Sequence, residues 1–327
     1  MTTALTSSTG TEHLDATQVL VRRQAEQVQR AWRDLDPAGL RASFGAAVVP
    51  VFVAAITAGQ QDAAALAAPY VADVLADTDE PERPVPTVAP AAFTGVTTTG
   101  LPLAALADLL LVRLLTDIGS GMSTMDALLA GLRRALTYTA TEITDAGRTA
   151  TQVQLIADTR IAGYERVVKL PACDRCIVLA GKLYRYSTGF RRHPRCDCTM
   201  LPVTRDQWRE SNLDNHPRAL FDSMSEAEQK ERFGAGNAAA IRAGADISQV
   251  VNARRGAMPV AGRWVTTQGT SSRGLAGQRM GELRKQPGRR YRMSQLARPT
   301  AGQLITDFSG RSREELVAAL RRYGYLL

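Results

Sequence analysis

All four cysteines of the 327-residue chain and one of its three histidines fall within one stretch, "PACDRCIVLAGKLYRYSTGFRRHPRCDCTMLPV", residues 171–203. Cys173-x-x-Cys176 is followed after nineteen residues by Cys196-x-Cys198, with His193 three positions before Cys196. A C-x-x-C bend aims two thiolates at one cation, and a second knuckle supplies the remaining ligands of a tetrahedral zinc site. Five candidates, Cys173, Cys176, His193, Cys196 and Cys198, compete for four places. Two other chemistries stay open: structural disulfides, and a Cys–His nucleophile. In a reducing compartment clustered thiols favour a metal over a disulfide. C-x-x-C with C-x-C is poor spacing for a lone thiol and its base. A zinc held by four protein ligands is structural, because no position is left for water.

The second chemical feature is charge. Residues 1–170 carry 13 Lys/Arg against 18 Asp/Glu, whereas residues 231–327 carry 17 against 6. Between Asn252 and Arg298, eleven cations face only Glu282. Trp264 and Tyr291 stand among these cations, with many Gly and Ser, and flexible arginine-rich segments bind phosphate without sequence preference. Arg254, Arg255, Arg284, Lys285, Arg289, Arg290 and Arg292 are therefore the candidate DNA contacts. The competing reading is an arginine-rich solvated surface. It has support in composition, since only four of the 40 cations are lysine.

The elements that must position these groups are mostly helical. Residues 1–14 read as a disordered, Thr/Ser-rich start. Asp15 is a candidate cap for a helix in which Val21, Ala25, Val28, Trp32 and Leu35 recur at helical spacing. Asp36 and Pro37 open a second helix that Pro50 kinks or splits, and a third ends near Ala76. Residues 77–100 hold four prolines and read as a linker or extended loop. Helices resume over 102–118 and 123–163, the second with an interruption near Asp145 and Gly147. Between the knuckles, alternation around Gly181 suits a short hairpin. Ser223 or Ser225, the latter with Glu228, and Ser309 or Ser312 before the final helix, are start signals. "GNAAAIRAGADISQVVN" has the spacing of a helix-turn-helix, although an ordinary helix pair is preferred.

The expected fold is mainly α. An elongated N-terminal helical bundle precedes a small zinc-knuckle α+β module and a basic C-terminal segment ending in a helix. The expected divisions are 1–14, 15–76, 77–100, 101–170, 171–250, a flexible basic segment 251–300, and a terminal helix 301–327. No basic leader followed by an apolar core occurs, and no uninterrupted apolar run reaches the roughly 18 residues that span a bilayer. A cytoplasmic product without a membrane partner is expected.

The C-x-x-C, L-x-G-x-x-Y and H-P-x-C-x-C residues, Cys173, Cys176, Leu179, Gly181, Tyr184, His193, Pro194, Cys196 and Cys198, resemble the core of the phage Mu F-like minor head proteins. "RFGAGNAAAIRAGADISQVVNARRG", "TTQGTSSRG" and "REELVAALRRYGYLL" resemble later segments of actinobacteriophage members. The resemblance implies a virion protein made in the host cytoplasm and held inside the capsid near the portal. It implies portal, scaffold or major capsid protein as partners, and a part in capsid assembly and in DNA packaging or ejection. Some relatives are labelled capsid maturation proteases, which is the alternative. The chain has no G-x-S-x-G elbow or H-E-x-x-H helix, so a non-enzymatic role is expected.

Overall fold

The computed structural model describes residues 3–189, 198–210 and 216–326. It is mainly helical and divides into two compact units. One comprises residues 1–169 and 181–213, the other residues 170–180 and 214–327.

The first unit begins with α1 (Thr3–Arg33), then α2 (Leu40–Ser43), a π-helical turn over Phe44–Val48, α3 (Val49–Ala65) and α4 (Ala67–Ala76). The expected disordered start is instead the first turns of α1. Asp15 lies inside that helix and pairs with Lys169 rather than capping. Pro50 acts as expected, through a wider mechanism than a break. A proline has no N–H to return to the preceding turn, and here the chain widens into the π turn just before α3. The continuous stretch Leu40–Ala76 is long and apolar enough to cross a membrane by composition alone. Its Phe44, Val48, Phe52 and Ile56 are fully buried in the core of this unit.

Two long helices complete that core, α5 (Leu103–Gly119) and α6 (Thr124–Ala157). Leu103, Leu106, Leu110 and Leu114 of α5 pack with Val28 and Trp32 of α1. Trp32 meets Phe44 edge to face and donates its indole N–H to the Leu128 carbonyl at 3.2 Å. Helix α6 runs through Asp145 and Gly147 without a break, contrary to expectation. It ends before Ile161, and the residues expected to extend it form a strand.

That strand is β1 (Ile161–Val168). The segment 170–180, with α7 (Asp174–Val178), falls in the other unit. The chain then returns as β2 (Leu183–Arg185) and β3 (Cys198–Thr204). The order is β2-β1-β3, antiparallel throughout. The expected hairpin between the knuckles is therefore replaced by pairing of β2 with β1. Every residue of β3 is buried. Tyr70 of α4 donates its hydroxyl to the Met200 carbonyl at 2.7 Å, tying that helix to the strand. Helix α8 (Arg205–Glu210) follows β3.

Residues 77–100 are a strap within this unit rather than a linker between domains. Prolines remove donors, so two buried glutamines supply the missing hydrogen bonds. Gln60 receives the Gly95 N–H at 3.0 Å and donates to the Val96 carbonyl at 2.8 Å. Gln154 receives the Val88 N–H at 3.0 Å and donates to the Pro86 carbonyl at 3.1 Å.

The second unit holds α7, then α9 (His216–Ser223), α10 (Glu226–Phe233), α11 (Ala235–Arg242) and α12 (Ile247–Arg255). Helix α10 opens on the Ser225–Glu228 capping box read in the sequence. The segment expected to be flexible is ordered. Strands β4 (Ala257–Val260) and β5 (Arg263–Thr266) form a tight hairpin. Its turn residues Ala261 and Gly262 both have positive φ, at 48° and 75°. After α13 (Leu275–Met280) come β6 (Leu283–Arg284), β7 (Met293–Ser294) and β8 (Arg298–Pro299), then α14 (Ala301–Asp307) and α15 (Arg313–Arg322).

Arg298 explains much of this order. It is fully buried, lies 4.4 Å from the centre of the Tyr325 ring, and donates to the Tyr323 carbonyl and to Gln249 Oε1. Loss of water pulls its pKa down, and burial pushes the Tyr325 hydroxyl up to about 12.

Candidate functional site

The described thiols lie in different local settings. Cys173 caps α7, and its sulfur accepts the Cys176 N–H at 3.4 Å. Cys176 is buried within α7. Both belong to the second unit, whereas Cys198 opens β3 in the first. Arg148 of α6 donates two guanidinium hydrogen bonds to the Cys198 carbonyl, at 2.9 and 2.7 Å. Arg166 of β1 approaches the Cys198 sulfur to 3.3 Å and Arg148 approaches it to 3.9 Å. Guanidinium groups favour the thiolate form that a metal ligand requires. Among the described residues, however, no group of three or more Cys, His, Asp or Glu side chains is placed to hold a metal ion. The zinc-knuckle module is therefore not supported. His193 and Cys196 lie outside the described residues.

The seven basic candidates divide into two sets within the second unit. Arg254 and Arg255 end α12. Arg254 is engaged already: it donates to the Arg232 carbonyl at 2.9 Å and pairs with Asp174 at 3.5 Å. The expected helix pair α11–α12 is present and turns at Gly244. Its Ile241, Ile247, Val250 and Val251 are buried, so that face is core.

Arg284, Lys285, Arg289, Arg290 and Arg292 share one antiparallel hairpin, formed by β6, β7 and the loop between them. All five are exposed, and among the described residues none is ion-paired. The hairpin is fastened to the preceding loop, because the Ser272 N–H donates to the Arg292 carbonyl and the Ser294 N–H to the Thr270 carbonyl, both at 2.9 Å. Lys285 closes the loop by donating to the Arg290 carbonyl at 2.7 Å.

Tyr291, an aromatic residue that stands among the arginines of the sequence, organises this hairpin. Tyr291 has two guanidinium groups near its ring, Arg273 at 5.3 Å and Arg290 at 5.4 Å from the centroid. Arg273 also donates to the Tyr291 hydroxyl at 2.8 Å. An aromatic residue inside a run of arginines was the available signal. Such pairing holds cations in place on a surface where they would otherwise be mobile.

The family model of the VG15 protein matches residues 1–227, well over half of the chain. The chain belongs to the VG15 protein family. The family is one of phage virion-associated proteins. No curated protein and no solved structure matches the chain. The VG15 match covers the Cys/His stretch and ends before the basic hairpin, so any role for that hairpin must be argued from its own geometry.

Proposed function

We propose that this VG15 protein is a minor capsid, or head morphogenesis, protein whose C-terminal unit contacts DNA without sequence preference. The Mu F-like signature at Cys173–Cys198 supports a place inside the capsid near the portal. Portal, scaffold or major capsid protein would then be its partners, and packaging or ejection the stage of DNA contact.

One observation carries the DNA reading: five exposed cations share a hairpin whose Tyr291 ring has the guanidinium groups of Arg273 and Arg290 within 5.4 Å of its centre. Unpaired exposed cations release phosphate counterions on binding, which is the source of sequence-independent affinity. Arg254 lies outside this hairpin, at the end of α12, where it pairs with Asp174.

No observation favours the protease alternative. A protease needs a nucleophile, a base and oxyanion donors in one place. His13 stacks on the ring of Tyr70.

The test is a binding titration on duplex DNA at several salt concentrations. On duplex DNA, affinity should fall by roughly 0.9 log unit per phosphate contacted for each tenfold rise in salt. Reversing Arg289, Arg290 and Arg292 to Glu should flatten that slope and weaken binding to all sequences alike. If these arginines instead meet an acidic coat or portal surface, wild-type protein will not shift DNA at low salt, and the triple variant will be lost from purified heads.

A further inference from the structure

A cavity of about 450 Å³ lies beside the β4–β5 hairpin within the second unit. That volume falls in the range of roughly 300–1,000 Å³ typical of small-molecule sites. Its floor is the crossing of α11 and α14. Gly236 and Gly302 meet so closely there that a Cβ on Gly236 would stand 2.9 Å from the Gly302 Cα. The Gly302 N–H donates to Asn237 Oδ1, and Asn237 Nδ2 donates to the Phe233 carbonyl, both at 3.0 Å. The amide side chain at the floor is thereby fixed.

Trp264 forms part of the wall. Its backbone is clamped at both polar groups: its N–H donates to Gln303 Oε1 at 3.0 Å and its carbonyl accepts the Thr300 N–H at 2.9 Å. The residue is nevertheless 53% exposed. A large ring left open on a fixed backbone is a preformed stacking platform. Arg254 lines the same cavity, held by the Arg232 carbonyl and Asp174. The other polar lining side chains are Asn237, Thr300, Gln303 and Thr306, with no carboxylate among them. The space thus joins an aromatic face, a guanidinium and neutral hydrogen-bonding groups.

We infer that this cavity binds one unpaired nucleotide, with its base stacked on Trp264 and its phosphate on Arg254. Any base offers a π face, so such a site tolerates all sequences. A base inside a duplex is already stacked on both sides and does not enter, so single strands and frayed ends are selected. The inference rests on the proposed handling of DNA and adds a strand preference to it. A phosphorylated peptide would satisfy Arg254 but would leave the indole without a base to stack on.

The test uses the full chain and a trithymidylate probe, read by calorimetry and by quenching of tryptophan fluorescence. Saturable binding is expected. Trp264→Ala should weaken it about tenfold or more, in line with the energy of base stacking on an aromatic side chain. Trp264→Phe should retain most of the affinity and guards against a folding artefact. Arg254→Gln should weaken binding as well, and inorganic phosphate should compete poorly. The Arg289/Arg290/Arg292→Glu variant should bind the probe as wild type does. Trithymidylate binding with no duplex binding would overturn the hairpin reading and leave this site standing. The inference fails if the probe does not bind, if Trp264→Ala binds it unchanged, or if phosphate alone displaces it fully.

Discussion

The imidazole of His13 lies flat on the phenol ring of Tyr70, with centroids 3.9 Å apart and planes 10° from parallel. Tyr70 in turn donates to the Met200 carbonyl of β3, so the stack joins the start of α1 to the sheet through α4. Burial, and then the charge of Arg148, lower the His13 pKa from 6.5 to about 4. The native state therefore holds His13 neutral where the unfolded chain would protonate it. Stability linked to this group is complete above pH 6.5 and is lost as the pH falls towards 4. The loss should reach about 2–3 kcal/mol at the acid end of that window. His13→Phe keeps a ring on Tyr70 but cannot titrate. Urea unfolding of both proteins from pH 7.5 to 4 should show a shallower acid slope for the variant. Parallel slopes would mean that folding does not lower the His13 pKa.

A glycine sets the pairing of β1 with β2. A Cβ on Gly163 would stand 2.1 Å from the Tyr184 carbonyl oxygen and 2.5 Å from a ring carbon of Trp208. The first of these is backbone and cannot rotate away. Gly163→Ala should cost about 3 kcal/mol or more, the upper end of the overpacking range. It should also expose the amides of β2 to hydrogen exchange. Gly119→Ala is the control, because a Cβ there meets nothing within 4 Å. It should be neutral or slightly stabilising. Equal effects from the two substitutions would show that β2 can slide to make room.

What the sequence revealed was local. The Ser225–Glu228 capping box forms as read, and of the two candidate serines Ser312 caps α15, because a spacing of three residues suffices to specify such a start. Helix α5 was legible because its leucines repeat over several turns. Strand β1 was not, since its eight residues follow a 34-residue helix and are defined by partners on β2 and β3. The basic segment was misread for a related reason. Its strands are two to four residues long, too short for any periodicity. Its order comes from distant contacts, such as the Arg298 bonds to Tyr323 and Gln249. At the candidate site the arginines were legible by type, whereas the ring of Tyr291 and the clamped backbone of Trp264 required the fold.

Cys173 permits a clean separation of two roles. Its sulfur accepts the Cys176 N–H as the cap of α7, and serine caps a helix at least as well. Cys173→Ser should therefore preserve α7 while removing any metal ligand. If the cysteine pattern reports a structural zinc, purified wild-type protein should carry about one zinc per chain, and the variant should lose it together with stability. A metal-free wild type whose melting temperature is unchanged in Cys173→Ser would retire the zinc reading and leave the sulfur as a cap alone.

Truncation after Asn252 tests the division of the chain. Read as a flexible tail, residues 253–327 would be dispensable for folding. The structure gives them a different weight. Ala276, Ala301, Leu304, Leu320 and Tyr325 are buried, and α14 packs on α11. The Asp246 N–H that precedes α12 donates to the Tyr325 carbonyl at 2.7 Å. Removing these residues takes away the α14 packing on α11 and the Tyr325 bond that precedes α12, and a fully buried aliphatic side chain such as Leu304 is worth about 1.5–3 kcal/mol. The truncated chain should bind a hydrophobic dye and lose amide protection over residues 216–252. Amides in α3, α5 and α6 should stay protected, because their core lies within the first unit. Full protection of residues 216–252 in the truncated chain would instead make the C-terminal segment a separate module, and the second unit would have to be redrawn without it.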